Sequence, residues 1–113
     1  INSDLFFIEF IRSNKFSKKI YTSNFIIQKL EANKNDNIPH FGFTITKKIG
    51  SAIVRNKIKR RLKSIIRELL KYKDKYFYFS CNYILICKKE IVKVSYDNLE
   101  DELMDKFKSN RAS

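Results

Sequence analysis

The chain has 113 residues, with 24 Lys and Arg against 12 Asp and Glu, a formal net charge of +12 and a hydrophobic fraction of 43%. That suffices for a single domain, 1–113, with its own core, and the charge excess directs attention to a polyanion, nucleic acid ahead of an anionic membrane surface or an acidic protein. No apolar run approaches the roughly 18 residues of a membrane span, and the start of the chain lacks the basic, apolar and small-residue succession of a secretory signal, so a soluble cytoplasmic protein without a membrane partner is expected.

Taken in chain order, Ser3 is placed to cap a short helix carrying Phe6, Phe7, Phe10 and Ile11, and 12–19 is a polar, basic loop. The stretch 20–30, with Tyr21, Phe25, Ile26 and Ile27, reads as one strand, and 31–40, with Asn33, Asn35, Asn37 and Pro39, as a polar connection. Phe41, Phe43 and Ile45 alternate with Gly42, Thr44 and Thr46, which predicts a second strand running directly into Lys47 and Lys48. Ile49, Gly50 and Ser51 then form a turn or loop that delivers the chain to a helix over 52–71. Beyond a Lys-rich link, the aromatic and β-branched stretches 76–79 and 83–87 predict a third strand, kinked and at the sheet edge. Ser95 opens a last helix in which Leu99, Leu103, Met104 and Phe107 form an apolar stripe. Together these elements predict an α+β sandwich, helices covering a small mixed sheet.

The helix over 52–71 is the informative one. Val54, Ile58, Leu62, Ile65 and Leu69 step by three and four residues and define the face that packs. At about 100° per residue, Asn56, Arg60, Lys63 and Arg67 fall on the opposite face, with Lys59 and Arg61 flanking the stripe. From Lys47 to Lys63 the chain also carries Lys48, Arg55 and Lys57 and no acid. A basic run on a helix is ordinarily only a solvated face. Here, however, the cations crowd the N-terminal end, where the helix dipole disfavours each by about 0.3–1 kcal/mol. The last helix obeys the rule this one breaks, placing Asp97, Glu100, Asp101 and Glu102 in its first turns. Cations and unpaired backbone N–H groups at one helix end together suit phosphate.

Catalytic constellations are missing from the sequence: there is no Gly-rich phosphate loop, HExxH or GxSxG, and His40 is the single histidine. Asp97, Asp101 and Asp105 recur at i, i+4 and i+8, a spacing superficially like a metal-dependent nuclease, but helix solvation explains them better. Cys81 and Cys87 lie roughly 20 Å apart if they share a strand, too far to bridge, and read as core residues. Phe6, Phe7, Phe10, Phe16, Tyr21 and Phe25 exceed what a short helix needs as an anchor; most are expected in the core, yet rings beside a basic groove hold unpaired bases, each stack contributing about 1–3 kcal/mol.

The run from Thr46 to Leu62, TKKIGSAIVRNKIKRRL, closely resembles the signature of the bacterial ribonuclease P protein family, in which a strand ending in Lys-Lys is followed by an Arg-Asn-Arg motif opening a long helix. The likeness extends more loosely to Phe7 and Ile11, to Phe25 and Ile27, and to 83–89. It implies a two-layer α-β sandwich of order αβββαββα with a left-handed βαβ crossover, a departure from the usual right-handed connection. It also implies the accessory subunit of a ribonucleoprotein endoribonuclease that removes the 5′ leader of precursor tRNA, one protein to one catalytic RNA, with Mg2+ bound mainly by the RNA and hydrolysis carried out there. On that reading Arg55, Asn56, Lys57, Lys59, Arg60 and Lys63 contact the catalytic RNA, and Phe7, Ile11 and Phe25 line a cleft for the single-stranded leader. Lys57 and Lys63 stand where Arg is common, replacing planar bidentate contacts by point charges. Gln28 stands where the family often has a leader-contacting tyrosine, and 14–25 is longer than the usual connection. A structural RNA-binding protein of ribosomal type, with no role in cleavage, is the alternative reading, and a peripheral membrane protein anchored by its basic helix is a third.

Overall fold

In a computed structural model the structure describes residues 17–31, 38–78 and 80–112. The predicted helix of Phe6, Phe7, Phe10 and Ile11, and Phe16 after it, lie outside the described residues. The stretch expected as one strand is two: β1 (Ser17–Tyr21) and β2 (Phe25–Glu31) pair antiparallel, from Ser17 opposite Leu30 to Tyr21 opposite Ile26. Thr22 makes the reversal. Its hydroxyl accepts from the backbone N–H groups of Asn24 (3.1 Å) and Phe25 (2.9 Å), closing the chain on itself as a side-chain-mediated turn. No Gly or Pro marks the position; the polar run Thr22, Ser23 and Asn24 is its sign in the sequence.

The sheet has the order β1-β2-β4-β3, with β3 (Phe41–Thr44) parallel and β2 antiparallel to β4 (Cys81–Cys87). The strand expected at a kinked edge is therefore central, which corrects that expectation. Residues 76–78 do not belong to it: Tyr76 closes a short helix (Lys73–Tyr76), and the Phe77 ring is buried in the core, while Phe79 lies outside the described residues. Every β4 residue except Ile86 is buried, as for a strand covered on both faces. Asn82, 3% exposed, accepts from the His40 backbone N–H at 3.0 Å, and the Tyr83 N–H donates to the His40 carbonyl at 2.8 Å, which seats the entry to β3 beside β4.

Helix α1 (Ala52–Leu70) connects β3 to β4, so the three form a βαβ unit. Ser51 caps it, its Oγ accepting from the Val54 N–H at 3.3 Å. The predicted stripe is the packing face: Ile58, Leu62, Ile65 and Leu69 are buried, with Ile66 beside them and Val54 partly covered. A single 3₁₀ turn (Lys89–Lys93) leads to the last helix (Tyr96–Ala112), which starts beside Ser95 as expected and buries Leu99, Leu103 and Phe107. Both long helices share the core with Phe25, Ile27, Phe43, Tyr83, Leu85 and Cys87, which fall on one sheet face by register. The observed architecture is thus the α+β sandwich that the element pattern implies.

At its centre four rings interlock. Phe77 and Phe107 meet edge to face at 4.8 Å between centroids, Phe41 and Phe77 at 4.9 Å, and Phe41 stacks on Tyr83 at 5.6 Å. The Tyr83 hydroxyl accepts from the Tyr78 N–H at 2.9 Å, so its one polar atom is used. Cys81 and Cys87 are free thiols within this interior, and burial pushes the Cys87 thiol up to about 12.

Phe107→Ala removes the ring that joins the last helix to the cluster and is expected to lower stability by about 3–5 kcal/mol, read as a lower urea midpoint with an unchanged m-value. Cys87, held as a protonated thiol well above pH 8, is expected to resist a thiol reagent such as DTNB at that pH until denaturant unfolds the chain; rapid labelling of native Cys87 would contradict its burial.

Candidate nucleic-acid interface

The segment 46–51 aims the basic helix. Ile49 is buried and its N–H donates to the Thr46 carbonyl at 3.0 Å, so the turn is anchored by its apolar residue while Lys47 and Lys48 remain exposed. Gly50 lies so close to the helix that a Cβ there would sit 3.1 Å from Cγ1 of Val54. The Arg55 Nε donates to the Gly50 carbonyl at 3.2 Å, so this cation also ties the turn to the first helical turn. Farther along, Arg61 Nη1 reaches the Val94 carbonyl at 3.4 Å and Ser64 Oγ meets the Tyr96 hydroxyl at 2.9 Å, fixing the helix against the start of its neighbour.

Within α1 there are seven Lys or Arg side chains and one acid, Glu68, near its end, where Lys71 pairs with it at 3.0 Å. The first turn has no acid. Asn56, Lys57, Arg60 and Arg67 are exposed, and Arg55, Lys59 and Lys63 are half-buried. All of the expected basic set except Arg67 is gathered at one end with Lys47 and Lys48; Arg67 lies 11 residues beyond Asn56, about 16 Å along the axis.

Two depressions flank this helix end. One, of about 380 Å³, lies between 43–46, the end of β3 and the two residues after it, and Arg55, Asn56 and Lys59. The other, of about 480 Å³, is lined by Ile53, Asn56, Lys59, Arg60 and Lys63. Asn56 and Lys59 line both, so the residue at the centre of the Arg-Asn-Lys motif stands on the ridge between them. In the first depression Thr44 Oγ1 is buried and has no hydrogen-bond partner, a polar atom for which the fold supplies nothing. Neither Thr44 nor Ile53 was marked by the sequence pattern; the alternation in 41–46 put Thr44 on the far face from Phe43 but could not show that α1 begins beside it.

Phe25 requires a correction. It is 0% exposed, on the sheet face covered by the helices, and a ring so placed cannot stack on a nucleotide. Its neighbour Ile26 points to the other face, where the register aligns Tyr21, Ile26, Ile86 and Thr44 in one row across all four strands. Ile26, Ile86 and Thr44 are half-buried, and Tyr21, at the edge, is 63% exposed. Phe7 and Ile11, the other residues expected in the cleft, lie outside the described residues.

Among the described residues no three His, Cys, Asp or Glu side chains converge as metal ligands, and Asp97, Asp101 and Asp105 are exposed. These residues do not fit a divalent-ion site. No described helix is long and apolar enough to cross a membrane.

An α+β sandwich that concentrates cations at one helix end, with an orphaned hydroxyl in the adjoining hollow, belongs to the class of small basic proteins shaped to hold a polyanion. Residues 8–110 match the family described as Ribonuclease P. The chain is 31% identical over 99 residues to the ribonuclease P protein component of Citrifermentans bemidjiense, covering 88% of this chain and 79% of that protein, and 35% identical over 86 residues to that of Bacillus mycoides, covering 74% and 69%. In fold it is similar to the RNase P protein of Staphylococcus aureus, with a TM-score of 0.73 over 97% of this chain and 93% of that one at 18% identity, and to that of Thermotoga maritima, with a TM-score of 0.73 over 96% and 94% at 18% identity. The chain belongs to the ribonuclease P protein family.

Arg55 and Asn56 should separate structural from binding roles. Arg55→Ala loses the bond to Gly50 and is expected to lower stability by about 0.5–1.5 kcal/mol, whereas Asn56→Ala at an exposed site stays within about 0.5 kcal/mol of the parent, measured by thermal denaturation.

Proposed function

We propose that this chain acts as the protein subunit of ribonuclease P, binding the catalytic RNA through its basic helix and the single-stranded 5′ leader of precursor tRNA across the sheet, and so promoting 5′ maturation of tRNA in the cytoplasm. The observation that carries this reading is the acid-free start of α1 in a chain of this family, where Arg55, Lys59, Arg60 and Lys63 line two hollows, with Lys57 exposed on the same helix and Lys47 and Lys48 exposed on the turn before it.

The chemistry of the parts supports a division of labour. Catalysis belongs to the RNA, which also binds most of the Mg2+. The protein contributes fixed positive charge. Two RNAs brought together repel through their phosphates, and either dissolved Mg2+ or a positioned row of Lys and Arg offsets that repulsion; a protein that supplies the charge lowers the Mg2+ concentration the reaction needs. For the leader, the row Tyr21, Ile26, Ile86 and Thr44 replaces Phe25 as the surface on which bases lie, running from an exposed ring to the hollow beside Arg55 and Asn56. Lys59 and Lys63 serve as point charges on phosphate. The working unit is one protein with one RNA.

The test is leader cleavage of precursor tRNA by a bacterial ribonuclease P RNA at low Mg2+, with and without this chain. Restored cleavage is expected; RNA binding without restored cleavage would instead favour a structural RNA-binding protein. Removing one phosphate contact by Lys63→Ala is expected to reduce the steepness of log K against log salt by about 0.7–0.9, measured by filter binding from low to moderate salt.

A further inference from the structure

On the helical wheel Ile53 belongs with Asn56, Arg60 and Lys63, at i+3, i+7 and i+10, and not with the buried stripe of Val54, Ile58, Leu62 and Ile65. It is 81% exposed, the most exposed large hydrophobic residue among those described. A single exposed apolar side chain is ordinary. This one differs in its setting: it forms one wall of the hollow of about 480 Å³ whose other walls are Asn56, Lys59, Arg60 and Lys63. Solvation of the helix does not call for a β-branched apolar residue there, and Ala or Glu would serve the helix better. The hollow, open to solvent, therefore combines an apolar wall, three cations and an amide that can donate and accept.

We propose that this hollow seats one unpaired nucleotide of the catalytic RNA, its base or ribose packed on Ile53 and its flanking phosphates on Lys59, Arg60 and Lys63; the proposal rests on the function given above. A nucleotide is the ligand whose parts match these walls: an apolar ring face, edge groups that hydrogen-bond with the Asn56 amide, and anionic oxygens on both sides. A nucleotide stacked within a duplex has no free ring face to offer, so the site selects one that is unstacked. Ile53 thereby adds a contact that depends on RNA shape to a surface otherwise governed by charge.

The test measures affinity and its salt dependence for in vitro transcribed ribonuclease P RNA, with a fully paired RNA duplex as second probe, using the full chain and Ile53→Ala, Ile53→Val and Ile53→Lys. Position 53 is exposed, so circular dichroism should show all three folded as the parent. Ile53→Ala is expected to weaken binding to the catalytic RNA about three- to tenfold with an unchanged salt slope, and to leave duplex binding unchanged. Ile53→Val should retain most of the affinity, and Ile53→Lys should bind less tightly than the parent despite its added charge. Unchanged affinity in Ile53→Ala, equal weakening toward duplex, or tighter binding by Ile53→Lys would overturn the proposal while leaving the subunit role intact. Failure of the parent chain to bind the catalytic RNA would overturn that role, and this inference with it.

Discussion

The packing of one helix stripe against one sheet face is the constraint on which the rest depends. Ile58, Leu62, Ile65 and Leu69 bury against the sheet, and the apolar area they remove from water must offset the mutual repulsion of seven cations on the same helix. An isolated helix of this sequence has no acid in its first turn to counter that charge or complement the dipole. The fold therefore holds the cations in place, and the bonds from Arg61 to Val94, just before the last helix, and from Ser64 to Tyr96, at its start, clamp the middle of α1 while its first turns remain open to a ligand.

What was legible in the sequence followed from periodicity. The basic helix and its buried stripe could be read because one amphipathic period persists for more than four turns; Ser51, read only as part of the preceding turn, proves to be the cap. The last helix was legible for the same reasons. The β1-β2 reversal was missed, because Thr22 turns the chain with its hydroxyl and no Gly or Pro stands in the polar run that marks it. Position within a sheet is also invisible to a local pattern: β4 reads as an aromatic, β-branched strand in either place, and only its pairing with both β2 and β3 makes it central.

The candidate site divides along the same line. The cations were visible as residues on one helical face, so the family motif and the helical wheel agreed. Phe25 was misread because the consecutive apolar residues Phe25, Ile26 and Ile27 break the alternation that would assign faces, and the register alone places Phe25 on the helix side and Ile26 on the other. Thr44 and Ile53 acquire meaning only from what the fold brings next to them, an orphaned hydroxyl in one case and a wall of cations in the other.

The strand order also imposes a schedule on synthesis. Among the described strands, the two halves of the sheet, β1-β2 and β3, share no ladder with each other and are joined by β4, the last of them in chain order. A ribosome therefore synthesises the whole cationic helix before the residues that close the sheet exist, and the four-stranded sheet cannot assemble until translation has passed Cys87. Because the pairing that completes it is long-range in sequence, folding waits on a slow, non-local step while the nascent chain already carries its most highly charged segment.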